Sequence, residues 1–424
     1  MSSIRKVAII GGNRIPFMRS NTAYSHASNQ EMLTAAFQGL VERFSLQGQQ
    51  LGEVVAGAVM KHSRDFNLAR EAALSTGLSP ATPAYDIQQA CGTGLEAAIL
   101  VANKIALGQI DVGIAGGTDT ASDAPIAVSE KFRKMLLELN RARTLGDRLK
   151  VLGSFRPSHL MPLLPANAEP RTGLSMGKHC ELMAKQWGIE RNDQDDLAFE
   201  SHQKLLAAYQ EGFFNDLVSA FHGQTRDGVL RDTPREKLSQ MRPAFDRENG
   251  TLTAANSTTL TDGASAVLLA SEEWAKANNL PIQAYLTFSE VAAVDFYSDD
   301  PEGLLMAPAY AVPKLLEKAG LTLQDFDFYE IHEAFAAQVL CTLKAWEDES
   351  FCKEKLGLDK PLGSIDRSKL NVKGSSLATG HPFAATGTRI IGTLAKLLEQ
   401  KGSGRGLISI CAAGGQGITA IIER

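Results

Sequence analysis

CGTGLEAAILVANKIALGQIDVGIAGG (91–117) and GHPFAATGTRIIGTLAKLLEQKGSGRGLISICAAGG (380–415) follow the same layout. Each begins with a glycine-containing turn that carries a cysteine or a histidine, continues as a helical pattern and ends in a strand that closes on Gly-Gly. The identity between the two stretches is weak, but a shared layout of this length indicates an internal repeat. The chain is therefore predicted to consist of two similar halves.

Outside these stretches, short apolar runs alternate with longer helical patterns, which is typical of an α/β fold. Region 124–249 breaks the alternation with several prolines and polar helical patterns. We expect it to be an insertion over one face of the fold, since connections of this length are usually functional. Predicted strands lie at 7–12, 54–60, 111–117, 285–294, 326–335, 407–415 and 418–424, and predicted helices at 30–46, 91–107, 310–319 and 384–400.

The composition is that of an ordinary folded chain. Its 424 residues predict two or three domains, given the usual size of about 100–200 residues per domain. A hydrophobic content of 44% and a charged content of 21% argue against disorder. The net charge of −5 provides no positive field for non-specific binding of nucleic acid.

The sequence also argues against several other classes of protein. No apolar run reaches the roughly 18–20 residues that cross a bilayer, and the apolar start is too short for a secretory signal, so we expect a cytoplasmic protein. Five cysteines without a Cys-x-x-Cys pair indicate neither a disulfide framework nor a usual zinc site, and the adjacent His179 and Cys180 do not change this. The glycine-rich signatures of nucleotide and dinucleotide binding are absent.

Cys91 is a candidate nucleophile. It lies in QQACGTGLEAAIL (88–100), at the predicted start of a helix and beside two glycines. The free N–H groups and the positive end of a helix lower the pKa of a thiol, so we expect thiolate to be available near neutral pH. The alternative is ordinary packing, because cysteines are often buried as small hydrophobic residues.

Two further residues have a context that suits catalysis. His381 lies between Gly380 and Pro382, where a fixed backbone would orient an imidazole base; a capping or packing role is the alternative. Cys411 ends an apolar strand in ISICAAGGQG (408–417), at the sheet edge where α/β proteins bind ligands. Burial within that strand is the alternative for Cys411.

Five motifs together resemble the thiolase family: CGTG at 91–94, TAANSTTLTDGASAV at 253–267, HEAF at 332–335, GHPFAATG at 380–387 and CAAGGQG at 411–417. The match runs from the first predicted strand to the last residue. Many thiolases carry NEAF where this chain has HEAF. HEAFAAQ and CAAGGQG make the chain most similar to the thiolase subunit of the fatty-acid β-oxidation multienzyme complex.

The resemblance implies a thiolase-like α/β fold, in which two βαβαβαββ halves form a five-layered α-β-α-β-α arrangement with an inserted loop domain. The implied N-terminal half is 1–123 plus 250–274, the loop domain is 124–249 and the C-terminal half is 275–424. A homodimer or homotetramer is implied as well.

The resemblance also implies roles for individual residues. Cys91 matches the nucleophile that becomes acylated, His381 the base that activates it, and Cys411 the thiol that moves a proton at the α-carbon of acetyl-CoA. His332 occupies a position where the family has Asn or His to hold the thioester oxygen of the enolate. Further matches are the backbone N–H groups of Cys91 and Ala413 for the tetrahedral oxyanion, and CoA contacts at Ser175, Met176 and Thr258.

These roles imply an acyltransferase that cleaves 3-ketoacyl-CoA with CoA through an acyl-cysteine, in fatty-acid β-oxidation. CoA is then a co-substrate, and neither a metal nor a bound cofactor is expected. A biosynthetic acetoacetyl-CoA thiolase would use the same groups in reverse. A ketoacyl synthase would pair a cysteine with two histidines, but Cys411 and the GHPFAATG context argue against it. A non-catalytic binding subunit would have lost a catalytic residue, and none is lost here.

Residues 131–156 form a basic segment within the predicted insertion. It carries eight Lys or Arg residues against Glu138 and Asp147, while Phe132, Met135, Leu136 and Leu139 recur at helical spacing. We predict a docking surface for a hydratase–dehydrogenase subunit or for a membrane. A solvated helix face is the alternative.

Overall fold

The structure is a computed structural model that describes residues 4–424. The strands in this range are β1 (Val7–Arg14), β2 (Met18–Arg19), β3 (Glu53–Ala56), β4 (Ala84–Asp86), β5 (Val112–Asp119), β6 (Ala127–Val128), β7 (Pro162–Leu163), β8 (Thr261–Ser271), β9 (Ala284–Ala293), β10 (Phe328–Ile331), β11 (Arg405–Ala412) and β12 (Gln416–Glu423). The helices are α1 (Asn29–Arg43), α2 (Leu68–Leu74), α3 (Thr93–Ala106), α4 (Glu130–Arg141), α5 (Leu145–Gly153), α6 (Met176–Gln186), α7 (Arg191–Gln210), α8 (Arg235–Ser239), α9 (Glu272–Ala277), α10 (Ala307–Ala319), α11 (Ala336–Glu347), α12 (Glu349–Glu354), α13 (Ser376–Thr379) and α14 (Thr386–Lys401).

The strands of both halves lie on one hydrogen-bonded path, in the order β10-β11-β12-β9-β1-β8-β5-β3-β4. The C-terminal half contributes the sheet β10-β11-β12-β9 to this path, and the N-terminal half contributes the sheet β1-β8-β5-β3-β4. The two sheets meet where β1 joins β9 through only two residue pairs, Ala8 with Tyr285 and Ile9 with Ala284. The alternation of sequence patterns did not predict β8, which pairs antiparallel with both β1 and β5. In the C-terminal half, a single parallel bridge between Tyr329 and Leu370 lies where the N-terminal half has its fifth strand, β4.

The two sheets enclose a central layer of two helices, α3 and α14. Apolar side chains of both helices and of both sheets form one buried cluster. Helices α1 and α2 cover the other face of the N-terminal sheet, and α10 and α11 cover that of the C-terminal sheet. The five-layered α-β-α-β-α arrangement predicted from the resemblance is confirmed.

Two glycines let α3 and α14 approach each other closely near their N-termini. A Cβ atom on Gly94 would lie 2.5 Å from the carbonyl oxygen of Ala384, and one on Gly387 would lie 2.1 Å from the backbone nitrogen of Leu95. A larger residue at either position would push the helices apart. The contact therefore brings together the two turns that precede these helices.

The strand predicted at 54–60 is shorter than expected. It ends at Ala56 because the chain then turns toward the end of β5. The backbone N–H groups of Val59 and Met60 donate to the Asp119 carboxylate at 2.9 and 2.8 Å instead of joining a ladder.

Region 124–249 has two structurally different parts. Helices α6 and α7 pack against α11 and α13 of the C-terminal half. Residues 124–165, here called the arm, form the two-stranded β6–β7 stem and a pair of helices, α4 and α5, that pack on each other. Among residues 4–424, no helix has both the length and the hydropathy needed to cross a bilayer.

Candidate active site

Cys91 and His381 are 290 residues apart in sequence and form a direct hydrogen bond. The Sγ atom of Cys91 lies 3.0 Å from Nε2 of His381. The other ring nitrogen, Nδ1, lies 2.6 Å from Oγ1 of Thr386, the first residue of α14. If the Thr386 oxygen accepts a hydrogen bond from the Nδ1–H group, Nε2 carries no proton and is free to accept the proton of the Cys91 thiol.

The expected thiolate at Cys91 is wrong for the free protein. Although Cys91 keeps a partly exposed surface, burial raises the pKa of its thiol to about 12, and the nearby Asp119 carboxylate acts in the same direction. Burial also lowers the pKa of His381 to about 3. Desolvation therefore changes the pKa of Cys91 more than the helix N-terminus does. The resting pair is a neutral thiol and a neutral imidazole.

Backbone N–H groups converge on the same sulfur. Those of Ala413 and Cys91 both donate toward Sγ of Cys91 and oppose the rise of its pKa. These are the two groups that the sequence assigned to the tetrahedral oxyanion. They point toward the Cys91 sulfur, the atom to which the carbonyl carbon of the substrate would bond.

Cys411 lies at the end of β11 and is almost fully buried. Burial, together with its proximity to Cys91, raises the pKa of the Cys411 thiol well above its usual value. Two neutral thiols thus lie close together, and that of Cys91 is hydrogen-bonded to the imidazole of His381.

His332 completes the cluster. Its ring centroid lies 4.2 Å from that of His381, with 48° between the ring planes. Its Nδ1 atom lies 2.7 Å from Oγ of Ser376, while Nε2 is buried with no hydrogen-bond partner in the described part of the chain. Burial and the nearby His381 and Arg389 hold the pKa of His332 well below its ordinary value, so the ring is neutral.

One group of possible metal ligands emerges within residues 4–424. A ligand atom from each of Cys91, His332 and His381 lies within 4.8 Å of the other two. The hydrogen bond between the thiol and the His381 imidazole already engages two of these atoms. Nucleophile and base chemistry accounts for the cluster without an ion, and the absence of a metal stays a prediction.

A model described as "Thiolase, N-terminal domain" matches residues 7–273, and one described as "Thiolase, C-terminal domain" matches residues 285–424. The chain belongs to the thiolase family. A relative from Yersinia pestis (strain Pestoides F), named 3-ketoacyl-CoA thiolase, is 42% identical over 425 residues, which covers 99% of this chain and 97% of the relative.

Solved thiolase structures cover the whole chain. The acetyl-CoA acetyltransferase of Bacillus anthracis is 29% identical, with a TM-score of 0.82 and full coverage of both chains. Human mitochondrial 3-ketoacyl-CoA thiolase in complex with CoA is 28% identical, with a TM-score of 0.81 and coverage of 99% of this chain and 98% of that one. The resemblance predicted from the five motifs is thus confirmed.

The residues expected to contact CoA lie in different surroundings. Thr258 donates a hydrogen bond from Oγ1 to the carbonyl oxygen of Ala334, at 3.0 Å, which places it beside the HEAF motif. Met176 packs against the apolar cluster that contains Cys411. Ser175 is the N-cap of α6, where its hydroxyl accepts from the Lys178 N–H.

Sequence reasoning missed the buried polar residues that support this thiolase site. Asp119 accepts hydrogen bonds from the N–H groups of Val59, Met60 and Ala384, and so fixes the GHPF turn against the N-terminal sheet. Glu333 accepts from Ser201 Oγ and from the Leu377 N–H. Asp119 lies two positions after the predicted strand 111–117, and Glu333 is the second residue of the HEAF motif, so these positions were their sequence signals.

The helices of the basic segment 131–156 are mostly exposed and do not pack on the core of the protein. The only buried residue of α4 is Met135, and α5 has none. Arg133 pairs with Glu130 on the same helix. The arm also exposes large apolar side chains, namely Ile126, Val128, Leu136, Leu137, Leu145, Leu149, Leu152, Phe155, Leu160, Met161, Leu163 and Leu164.

Proposed function

We propose that this thiolase cleaves 3-ketoacyl-CoA with CoA to acetyl-CoA and a shortened acyl-CoA, as in fatty-acid β-oxidation. The observation that carries the proposal is the 3.0 Å contact between Cys91 Sγ and His381 Nε2, beside the thiol of Cys411. The full-length similarity to proteins named 3-ketoacyl-CoA thiolase supports the choice of substrate class.

In the first half of the reaction, the Cys91 sulfur attacks C3 of the substrate while His381 Nε2 takes the thiol proton. The C3 oxyanion accepts hydrogen bonds from the N–H groups of Cys91 and Ala413. The C2–C3 bond then breaks, and its electron pair forms the enolate of acetyl-CoA. His332 stabilises the thioester oxygen of this enolate, and the Cys411 thiol protonates C2.

In the second half, the thiol of free CoA attacks the acyl group on Cys91 and gives its proton to the Cys411 thiolate. The tetrahedral intermediate collapses, the shortened acyl-CoA leaves, and Cys91 regains its proton from the His381 imidazolium. Both thiols and the imidazole return to their starting state. A covalent acyl-enzyme predicts ping-pong kinetics.

We propose that CoA enters beside α6, with Ser175, Met176 and Thr258 along its path and region 124–249 as the loop domain that holds it. An open cleft of about 460 Å³ adjoins this helix, and its lining holds the cations Lys178, Lys185 and Arg247 beside the carboxylates Glu181, Asp246 and Glu248. Lys185 pairs with Asp246, so Lys178 and Arg247 are the cations that we propose for the phosphates of CoA. A cavity of about 630 Å³ elsewhere in the protein, near Arg43 and Trp274, contains none of the proposed catalytic side chains.

The proposal is tested by turnover of acetoacetyl-CoA and 3-ketohexadecanoyl-CoA in the presence of CoA, followed by the 3-keto absorbance. We expect cleavage of both, with an acyl adduct on Cys91 when CoA is omitted, located by peptide mass mapping. Turnover confined to acetoacetyl-CoA would favour the biosynthetic alternative. No turnover at any chain length would indicate a non-catalytic subunit, and an adduct on Cys411 would reverse the two cysteine roles.

We also propose that the arm binds an anionic membrane surface. Exposed apolar side chains beside basic residues are the pattern of interfacial helices, and each Lys or Arg near an anionic surface contributes about 1 kcal/mol. Reversing the charge of Arg141, Arg143 and Arg148 should reduce co-sedimentation with anionic vesicles while leaving short-chain turnover intact. The matched control reverses three exposed cations outside the arm, Lys353, Lys360 and Arg367.

The arm experiment has three informative outcomes. Binding lost only in the arm variant supports the membrane proposal. Loss of binding to a hydratase–dehydrogenase subunit, with vesicle binding unchanged, would assign the arm to a protein partner instead. Collapse of short-chain turnover would place the basic segment in the CoA cleft.

We propose a cytoplasmic homo-oligomer, a dimer or a tetramer. Strand β4 is the terminal strand of the sheet, so its outer edge is available to a second copy. Analytical ultracentrifugation tests this, and a monomer at micromolar concentration would contradict it.

A further inference from the structure

Three buried side chains form a hydrogen-bonded chain that ends at His332. Nη2 of Arg389 lies 2.7 Å from Oγ of Ser376, and the same oxygen lies 2.7 Å from Nδ1 of His332. Each residue is at most 4% exposed. Arg389 lies on α14, Ser376 begins α13 and His332 directly follows β10, so three separate elements assemble the chain.

The guanidinium of Arg389 fixes the direction of both hydrogen bonds. It has donors and no acceptor, so the oxygen of Ser376 must accept from it. In the described part of the chain, His332 Nδ1 is then the one side-chain acceptor within reach of the Ser376 hydroxyl proton. A ring nitrogen that accepts carries no proton, and a neutral imidazole must therefore carry its proton on Nε2.

The surrounding charges keep this arrangement in place at neutral pH. Burial lowers the pKa of Arg389 only to about 10, so the guanidinium stays protonated. A protonated His332 would need to donate from Nδ1 to an oxygen that already accepts from Arg389. The two positive groups would then lie on either side of Ser376, in a buried site where charges are only weakly screened.

We propose that Ser376 is a positioning residue, which transmits the hydrogen bond of Arg389 to His332 and thereby fixes His332 as the Nε2–H tautomer. The inference rests on the thiolysis proposed above. Within residues 4–424, His332 Nε2 is buried and has no hydrogen-bond partner, and a nitrogen of this ring lies within 4.8 Å of the Cys91 sulfur. His332 is then a preformed donor to the enolate oxygen and takes no part as a base.

The hydrogen bonds that run from Arg389 through Ser376 to His332 are here called the relay. The identity of residue 332 explains why the relay is needed. Where other thiolases have Asn in the NEAF motif, the amide NH₂ always presents a donor. An imidazole presents a donor at Nε2 in only one of its two neutral tautomers. A chain with His at this position therefore requires a neighbour that donates to Nδ1, and Ser376 is that neighbour.

Ser376→Ala tests the relay by kinetics. Loss of one oxyanion donor typically lowers kcat by about 10²–10³, and a mixture of tautomers should give a fall of about 10–100-fold with little change in KM. Ser376→Thr keeps the hydroxyl and should recover most of kcat. Ser375→Ala is the matched control, since it removes a 3.3 Å contact of Arg389 that does not involve His332. Circular dichroism checks that each variant folds.

The ring ¹⁵N signals of His332 test the tautomer directly, with His332→Asn used to assign them. We expect a proton on Nε2 alone in the wild-type protein at pH 7, and a mixture in Ser376→Ala. A wild-type signal with the proton on Nδ1 overturns the relay, even if the alanine variant fails to fold. Unchanged kcat and tautomer in Ser376→Ala overturn it as well. An inactive wild-type protein would refute thiolysis, whereas the tautomer would still decide the relay.

Discussion

The neutral thiol–imidazole pair gives the sharpest prediction, and replacing His381 by Asn tests it. If the resting pair were a thiolate and an imidazolium, the substitution would remove the reactive thiolate. In a neutral pair, His381 acts only when a substrate is attacked. His381→Asn should therefore leave alkylation of Cys91 by iodoacetamide nearly unchanged and lower acylation by 3-ketoacyl-CoA about 10²–10⁴-fold, the usual contribution of a general base.

The pKa values set the magnitude. The pKa of about 12 for Cys91 and that of about 3 for His381 differ by about nine, which corresponds to about 12 kcal/mol for moving the proton between separated groups. At 3.0 Å, attraction between the resulting charges returns about 5 kcal/mol at an effective dielectric constant of about 20. The ion pair thus lies about 7 kcal/mol above the neutral pair, a population of about one in 10⁵.

Alkylation of Cys91 is measured by peptide mass mapping between pH 6 and 9, because four other cysteines are buried. We expect its rate to rise about tenfold per pH unit without a plateau, as for a thiol with a high pKa. Acylation is measured as the burst of acetyl-CoA released without added CoA. A plateau with a midpoint below pH 8 that disappears in His381→Asn would refute the neutral pair.

Three further variants test other parts of the structure. Cys411→Ser should retain acylation of Cys91. It should lower the rate of α-proton exchange of acetyl-CoA, measured as deuterium uptake, about 10²–10⁴-fold. An unchanged exchange rate would contradict the role of Cys411 as the acid–base thiol. Burial raises the pKa of Glu330 from 4.5 to about 8 in the folded protein. The folded state therefore holds a proton that the unfolded state releases, so the free energy of unfolding falls as pH rises from about 4.5 to 8. Glu330→Gln should remove up to about 5 kcal/mol of that fall. Urea unfolding at pH 5 and 9 measures this, and the same pH dependence in both proteins would exclude a contribution of Glu330. Asp227→Ala leaves the buried guanidinium of Arg14 without its 2.6 Å partner and should lower the free energy of unfolding by about 3–5 kcal/mol, whereas a loss below about 1 kcal/mol would show that the pair is dispensable.

The sequence by itself determined the duplicated α/β architecture and singled out the residues that we propose for catalysis. Both follow from short-range patterns, since apolar periodicity forms a strand or a helix locally and a glycine-bounded turn fixes the residue it contains. In CGTG, GHPFAATG and CAAGGQG, the residue that can react and the glycines that fix its backbone lie within a few positions of each other. This is why Cys91, His381 and Cys411 could be singled out before any contact between them was known.

Only the tertiary structure decided how these groups are protonated and oriented. The helix terminus at Cys91 predicts a lowered pKa, but desolvation by atoms from distant parts of the chain reverses the direction. The tautomer of His332 depends on Ser376 and Arg389, 44 and 57 positions further along the chain. Desolvation and hydrogen-bond direction depend on every group that packs around an atom, and a linear pattern contains no record of those neighbours.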